Sequence, residues 1–167
     1  MNLDIGCGET KNDGFKGIDK RALPGVDFVH DLEEFPWPIA DGSVSLATAS
    51  HVFEHIRPQY SIKLMDEIWR IMEPGGTLAV AVPYPGSAGY WQDPTHCNGW
   101  SQTTWEYFDP SRYLYKIYKP KPWEIQKGFP VWSLTGNLEV ILKKIAEVVE
   151  TLTAVACEDI NTSERLR

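Results

Sequence analysis

Three aspartates near the start of the chain have the placement of nucleoside-binding groups. Asp4 precedes a glycine pair, Gly6 and Gly8, while Asp19 and Asp31 each end a short apolar run. Glycines let the backbone turn sharply and approach a ligand closely. A carboxylate ending a second strand can accept both hydroxyls of a ribose, and one ending a third strand can meet an adenine amino group. Each feature is also common in structural turns and caps, but three in succession favour a nucleoside site.

A second group of reactive side chains lies later in the chain. His51 follows the predicted fourth strand, and the segment 90–108 contains Asp93 and His96 among aromatic residues. An imidazole can take a proton near neutral pH, so both histidines are candidate general bases. Asp93 is an orienting group or an alternative base. Because a proline follows it, Asp93 is equally typical of an ordinary turn, and both interpretations remain open.

Strands and one helix in the first half of the chain would position these groups. Short apolar runs predict five strands, over residues 3–7, 15–19, 26–30, 43–50 and 77–82. Apolar residues at helical spacing up to Met72 predict a helix that begins near Pro58 and stops at Pro74 and the two glycines after it. Trp69 and Met72 fall on the apolar face of this helix, so we expect both in the core.

The second half completes the predicted sheet. Two strands, over 123–132 and 137–145, should pair through a turn at 135–137, and parts of 103–118 are predicted helical. The last twenty residues could hold a short helix. Seven tryptophans exceed the needs of a core of this size, so we expect several to line a pocket. The pattern predicts a mostly parallel α/β sheet with an antiparallel end and a ligand site at the carboxyl ends of its strands.

Composition limits the class of protein. The chain has 167 residues, 43% of them hydrophobic, which suits a single domain over 1–167 with a proper core. Its formal charge is −7, and the sequence lacks the cluster of basic residues that nucleic acid binding needs. No apolar run reaches the roughly 20 residues that cross a bilayer, and no signal-peptide pattern is present. The three cysteines have no paired spacing. We therefore expect a cytoplasmic protein that binds neither nucleic acid nor membrane.

The first half of the chain resembles the class I S-adenosylmethionine-dependent methyltransferases, and within them the small type-11-like group. The matching segments are LDIGCG at 3–8, GFKGID at 14–19, VDFVHDLEEFPWPIADGSV at 26–44, SHVFEHI at 50–56 and EIWRIMEPGGTLAVAVP at 67–83. The resemblance implies a Rossmann-like, mostly parallel seven-stranded sheet with a C-terminal antiparallel hairpin. It also implies S-adenosylmethionine as cofactor and methyl transfer to a small-molecule or sugar-like acceptor. A homodimer is left open.

The resemblance assigns cofactor contacts to nine matched positions. Asp4, Gly6 and Gly8 would flank the methionine part of the cofactor, with Cys7 between the glycines as a further contact. Asp19 would bind the ribose, and Asp31 and Leu32 would frame the adenine. Ser50 and His51 would face the cofactor from the other side. In this family the acceptor meets groups from the tip of strand four and from the segment after strand five. The implied catalytic residues are therefore His96, Asp93 and His51.

Two departures from the family pattern concern the first crossover. The usual third glycine is Thr10, and only ten residues separate Gly8 from Asp19, so the first helix should be shortened or missing. A helix N-terminus near the cofactor carboxylate would then be lacking, with Lys11 as a candidate substitute. The alternative function is a catalytically weak or inactive cofactor-binding or interaction module. A nicotinamide-dependent enzyme ranks last, because three glycines leading into a long helix are absent.

Histidine spacing also raises the question of a metal site. His51 and His55 stand four apart around Glu54, and Asp93 and His96 follow later, a set that could share an ion on a helix. However, the pair Glu54-His55 resembles a recurring feature of the family at the start of the fourth crossover, where the histidine would cap or pack. We therefore expect no metal ligand in this chain.

Overall fold

A computed structural model describes residues 1–132 and 136–146 and shows one eight-stranded sheet. Its strands are β1 Asn2–Ile5, β2 Lys16–Asp19, β3 Phe28–Val29, β4 Val44–Ser50, β5 Met72–Pro83, β6 Trp123–Ile125, β7 Val131–Trp132 and β8 Asn137–Lys144. Their order is β3-β2-β1-β4-β5-β8-β6, with β7 also paired to β8. Strands β1 to β5 are parallel, while β8 runs antiparallel to β5, β6 and β7.

The strand count agrees with the predicted seven positions. Because β5 occupies one edge of β8, the short strands β6 and β7 must follow one another along its other edge. Eight strands therefore fill seven positions across the sheet. The predicted mostly parallel Rossmann-like sheet with an antiparallel C-terminal end is confirmed.

One face of the sheet is buried beneath helix α1, Ser61–Ile71. The register sets Leu3 beside Ala47, Ala47 beside Leu78, and Leu78 beside Leu142, so alternate residues of each strand meet on this face. The helix adds four fully buried side chains at helical spacing, Leu64, Met65, Ile68 and Ile71. Burial of each of these side chains stabilises the fold by about 1.5–3 kcal/mol.

The opposite face is only half-buried. Its central row, Thr48, Ala79 and Ile141, is partly exposed in each strand. In the described part of the chain, no helix lies in the connections from β1 to β2, β2 to β3 or β3 to β4. The prediction of a shortened or missing first helix is confirmed. None of the helices within 1–132 and 136–146 is long and apolar enough to cross a membrane.

The connection from β5 to β6 adds an aromatic layer to the core. Its helices are short: α2 Ala88–Trp91, α3 Gln102–Trp105 and α4 Tyr115–Tyr118. Trp100 and Trp105 pack against Phe53, with ring centroids 5.1 and 5.9 Å from it, and both indoles are fully buried. The expectation that several tryptophans line a pocket is wrong for this pair and for the buried Trp123. Large rings supply apolar area where the helices are too short to supply it.

Element boundaries differ from the prediction in three places. Helix α1 ends at Ile71 and β5 begins at Met72, so Pro74 and its two glycines lie within a strand, where the register with β4 shifts. The third strand has two residues rather than five. The strand predicted over 123–132 is two strands. The predicted turn at 135–137 lies partly, and the predicted C-terminal helix largely, outside the described residues.

Candidate functional site

A cleft of about 650 Å³ opens at the carboxyl ends of the central parallel strands. It is lined by Gly6, Asp19, Lys20, Arg21, Asp31, Leu32, Glu33, His51, Val52, His55, Ile56, Arg57 and Thr95. We call it the first cleft. It lies where ligands bind in parallel α/β sheets, and its size suits a nucleoside-containing ligand. Five of the nine predicted cofactor positions meet here: Gly6, Asp19, Asp31, Leu32 and His51.

Gly6 lets the chain turn closely beneath this cleft. Its φ is +65°, and its amide donates to the Ile18 carbonyl of the next strand at 2.8 Å. A Cβ on Gly6 would overlap the Val52 side chain, whose Cγ1 would stand 3.1 Å away. Any other residue here would therefore be strained in its backbone and crowded by Val52. The close approach expected of this glycine is present without a helix after it.

Asp19 is held as a carboxylate at the cleft wall. Burial disfavours its charged form, but hydrogen bonds from the Arg21 amide (2.9 Å), the Arg21 guanidinium (3.2 Å) and the Gly8 amide (2.9 Å) outweigh burial. The pKa of Asp19 therefore lies below its usual value. A carboxylate fixed by these donors still has lone pairs for ribose hydroxyls.

The other predicted cofactor positions have different roles in the structure. Asp4 is buried and accepts from the Asn12 amide at 2.8 Å, so it holds the loop that replaces the first helix. Cys7 is buried in this loop, and burial raises the pKa of its thiol. Gly8 supports Asp19 through its amide, and Ser50 does not line the first cleft.

Lys11 is engaged away from the first cleft. Its ammonium pairs with Asp27 at 2.6 Å, and the same carboxylate binds Lys16 at 2.7 Å and the Gly17 amide at 2.9 Å. The suggestion that Lys11 replaces a helix N-terminus beside the cofactor is therefore wrong. Asp27, one position before β3, attracts it instead.

A second cleft, of about 500 Å³, adjoins the first. It is lined by His51, His55, Pro83, Ser87, Gly89, Gln92, Asp93, His96, Gly136 and Asn137. The structure thus brings the three predicted catalytic residues, His51, Asp93 and His96, to one cavity. His51 and His55 line both clefts, so these two residues form the wall between them.

His51 occupies a strained position at the end of β4. Its φ is +56°, unusual for a residue with a side chain, and such strain is concentrated at functional sites. Nδ1 lies 3.3 Å from the Glu54 carboxylate and Nε2 lies 3.1 Å from the Asn137 amide nitrogen. The contact with Glu54 raises the pKa of His51, against the opposing effect of burial. The amide donor at Nε2 and the carboxylate at Nδ1 together favour the neutral tautomer protonated on Nδ1.

Glu54 is the residue that sequence reasoning missed. It lies in a short 3₁₀ turn, Phe53–His55, and is fully buried. Its carboxylate faces His51 and, at 3.9 Å, Nε2 of His96. The spacing of residues 51, 54 and 55 within one turn was the signal that could have identified it, but the pair Glu54-His55 was interpreted only as a family feature without a catalytic role.

Asp93 is held by the turn that its proline predicted. Its carboxylate accepts from the Thr95 amide at 2.8 Å and from the Thr95 hydroxyl at 2.7 Å. These hydrogen bonds keep the pKa of Asp93 below its usual value. The structural interpretation of this segment is therefore correct, and the same turn still presents Asp93 to the second cleft, with its carboxylate 3.9 Å from Nε2 of His96.

Sequence comparison agrees with this geometry. The model of the type-11 methyltransferase domain family matches residues 16–80, from β2 into β5. The matched part of the chain is similar to this family of class I methyltransferases, and the similarity supports S-adenosylmethionine as the cofactor. No protein of curated function matches the chain significantly.

Solved structures share the fold of this chain at low identity. A chain of the complex between the Haloferax volcanii Trm112 methyltransferase activator and a methyltransferase is 15% identical, with a TM-score of 0.61 over 87% of this chain and 82% of that one. A SAM-dependent methyltransferase from Archaeoglobus fulgidus is 16% identical, with a TM-score of 0.59 over 86% and 85%. The Burkholderia thailandensis 1,6-didemethyltoxoflavin-N1-methyltransferase, solved with bound 1,6-didemethyltoxoflavin and S-adenosylhomocysteine, is 12% identical, with a TM-score of 0.60 over 87% and 71%.

Proposed function

We propose that this domain transfers a methyl group from S-adenosylmethionine to a hydroxyl-bearing small molecule, such as a sugar. The observation that carries the proposal is that two clefts meet at one wall formed by His51 and His55. One cleft has the groups that a nucleoside needs, and the other is rich in polar side chains. Methyl transfer needs two ligands held end to end across such a boundary.

The first cleft fits the cofactor on three points. Asp19 offers a fixed carboxylate for a ribose, Asp31 and Leu32 lie together for an adenine, and Gly6 lines the cleft without a side chain. Bound S-adenosylmethionine supplies a methyl group on a positively charged sulfur.

His51 is the proposed general base. Its Nδ1 faces Glu54, and its Nε2, which accepts from the Asn137 amide, lies beside the second cleft. The acceptor hydroxyl is proposed to replace that amide as the donor to Nε2. As His51 takes the hydroxyl proton, the acceptor oxygen forms a bond to the methyl carbon. The sulfur–methyl bond breaks, its electron pair stays on sulfur, and the imidazolium is stabilised by Glu54. Glu54 is thus a positioning residue for His51.

The second cleft matches a polar acceptor. Ser87, Gln92, Asp93, His96 and Asn137 supply both donors and acceptors of hydrogen bonds. Such a lining favours a ligand with several hydroxyls over an apolar one. Asp93 and His96 are proposed to contact the acceptor, in agreement with the predicted sugar-like class.

Cofactor binding is tested by calorimetry with S-adenosylhomocysteine. Asp19→Asn keeps the side-chain shape but removes its charge, so affinity should fall by about 1–3 kcal/mol, or roughly 5- to 150-fold. Asp13→Asn is the matched control, because Asp13 is exposed in the same loop outside both clefts. The proposal fails if the folded native protein does not bind the ligand. Asp19 loses its assigned role if both variants bind equally.

Catalysis is tested by single-turnover transfer of labelled methyl from S-adenosylmethionine to a library of sugars and glycosides. His51→Gln should lower the rate on any acceptor by about 100-fold or more with little change in cofactor affinity. An equal rate in this variant would remove the general-base assignment.

The alternative, a cofactor-binding module without transfer, is favoured by one observation. The connection from β1 to β2 contains no helix, so its amides do not present a helix N-terminus to the cofactor carboxylate. This alternative predicts cofactor binding with no transfer to any acceptor. A single turnover on one acceptor would eliminate it.

A further inference from the structure

Three side chains at the wall between the clefts place possible metal-ligand atoms close together. Glu54, His55 and His96 each direct a ligand atom to within 4.8 Å of the other two. His55 and His96 are in edge contact, with ring centroids 4.7 Å apart. They come from different segments: the 3₁₀ turn after β4 contributes two residues, and the loop after α2 contributes the third.

Glu54 is buried without a hydrogen-bond donor among the described residues. Its side chain has no solvent exposure, and neither carboxylate oxygen accepts a hydrogen bond from any described residue. The 3.3 Å approach of His51 Nδ1 is an ion-pair contact whose geometry falls short of a hydrogen bond. A buried carboxylate without a hydrogen-bond donor is costly, so this arrangement favours a cation beside it.

His96 is oriented as metal-binding histidines are. Its Nδ1 lies 2.6 Å from the Tyr90 carbonyl, an acceptor that fixes the proton on Nδ1. The lone pair of Nε2 then faces the carboxylates of Glu54 and Asp93, both 3.9 Å away. A lone pair turned toward two anions is repelled unless a positive charge lies between them. Metal-binding histidines commonly donate their other N–H to a backbone carbonyl in this way.

His55 has the same kind of support. The Thr95 hydroxyl donates its single proton to Asp93 at 2.7 Å, so toward His55 it acts as an acceptor. It lies 3.0 Å from Nδ1 of His55. The proton of His55 therefore belongs on Nδ1, which leaves Nε2 with a lone pair. Asp93 thus supports His55 through Thr95.

We propose that Glu54, His55 and His96 bind one divalent transition-metal ion of the zinc class. Two imidazoles and one carboxylate are the ligand set of open, three-ligand zinc sites. Ligand atoms about 2.1 Å from a tetrahedral ion stand about 3.4 Å apart. The 3.9 Å between His96 Nε2 and Glu54 must therefore shorten by about half an ångström, and the other separations, which lie within 4.8 Å, must close to the same distance by side-chain rotation.

The ion would take part in the reaction through its fourth position. Since His55 lines both clefts and His96 lines the second, an open position can accept the acceptor hydroxyl and lower its pKa, leaving His51 to take the proton. This catalytic role rests on the proposed function. Binding of the ion does not. The sequence-based expectation of no metal ligand rested on the resemblance of the pair Glu54-His55 to a family feature in which the histidine caps or packs.

Metal binding is tested with zinc chloride and the full chain, by calorimetry and by metal analysis after gel filtration. We expect one zinc per chain. Glu54→Gln and His96→Gln should weaken binding by more than the roughly 10–100-fold that follows loss of an outer-shell partner. His55→Ala serves if either variant fails to fold, because His55 is exposed. His30→Ala is the control: it is the remaining histidine, and its Nε2 bonds the Glu34 carbonyl. Cobalt in place of zinc should give a visible absorption band that is lost in Glu54→Gln.

Two results would overturn the inference. One is a folded native protein that binds no stoichiometric zinc. The other is zinc that binds equally to the native protein and to all three ligand variants, which is adventitious surface binding. Binding of S-adenosylhomocysteine, measured on the same samples, separates the proposed function from the proposed metal site. A native protein that does not bind it refutes the proposed function, while zinc binding is judged independently.

Discussion

Replacing Gly6 by alanine isolates the close approach that the first cleft requires. The φ of +65° costs an alanine about 1 kcal/mol, and overlap of the new methyl with Val52 adds about 1–3 kcal/mol. The free energy of unfolding should therefore fall by about 2–4 kcal/mol. Gly14→Ala is the matched control, since its φ is +79° with no atom within 4 Å of the new Cβ, and it should lose only about 1 kcal/mol.

A double variant separates crowding from backbone strain. Val52→Ala alone removes two buried methyl groups and costs about 1–2 kcal/mol. Combined with Gly6→Ala it removes the overlap, so the double variant should be more stable than the sum of the single effects by about 1–3 kcal/mol. Urea unfolding followed by tryptophan fluorescence measures the native protein and all four variants. Equal losses for Gly6→Ala and Gly14→Ala, or additive effects in the double variant, would refute the reasoning.

Two further predictions concern ion pairs away from the clefts. Glu67 accepts from the Trp37 amide and the Arg70 guanidinium, both at 2.6 Å, so Glu67→Ala should cost about 2–3 kcal/mol in urea unfolding, and a loss below 1 kcal/mol would contradict this. Hydrogen bonds from two lysines hold the pKa of Asp27 well below its usual range, so its stabilising effect is present at neutral pH and is lost as pH falls below about 4. The stability gap between the native protein and Asp27→Asn should narrow from pH 7 to pH 3, and a gap that widens would contradict the assignment.

Much of the sheet was predictable because its strands are chemically distinct. The run before Gly6 and the run ending at Ser50 are apolar, short and bounded by turn residues, and both appear as strands. The start of β5 was not predictable. Pro74 and its glycines are typical of a helix stop, yet the strand passes through them because a register shift accommodates a residue without an N–H donor.

Site residues that follow a strand were predictable, whereas contacts made by residues of a long loop were not. Asp19, Asp31 and His51 follow strands, so their meeting in one cleft could be anticipated. The contact of Glu54 with His96 joins residues 42 positions apart across an irregular connection, and no local pattern encodes it. The tryptophans of that connection misled the prediction, because a Pro- and Gly-rich aromatic loop looks the same whether its rings face a ligand or the core.

The most direct test of the account is a crystal structure of the protein with S-adenosylhomocysteine. The account predicts the ribose on Asp19, the adenine beside Asp31 and Leu32, and the sulfur directed at the wall formed by His51 and His55, facing the second cleft. A ligand bound outside the first cleft would contradict it. So would a ligand whose sulfur points away from the second cleft, because no acceptor held there could then receive the methyl group.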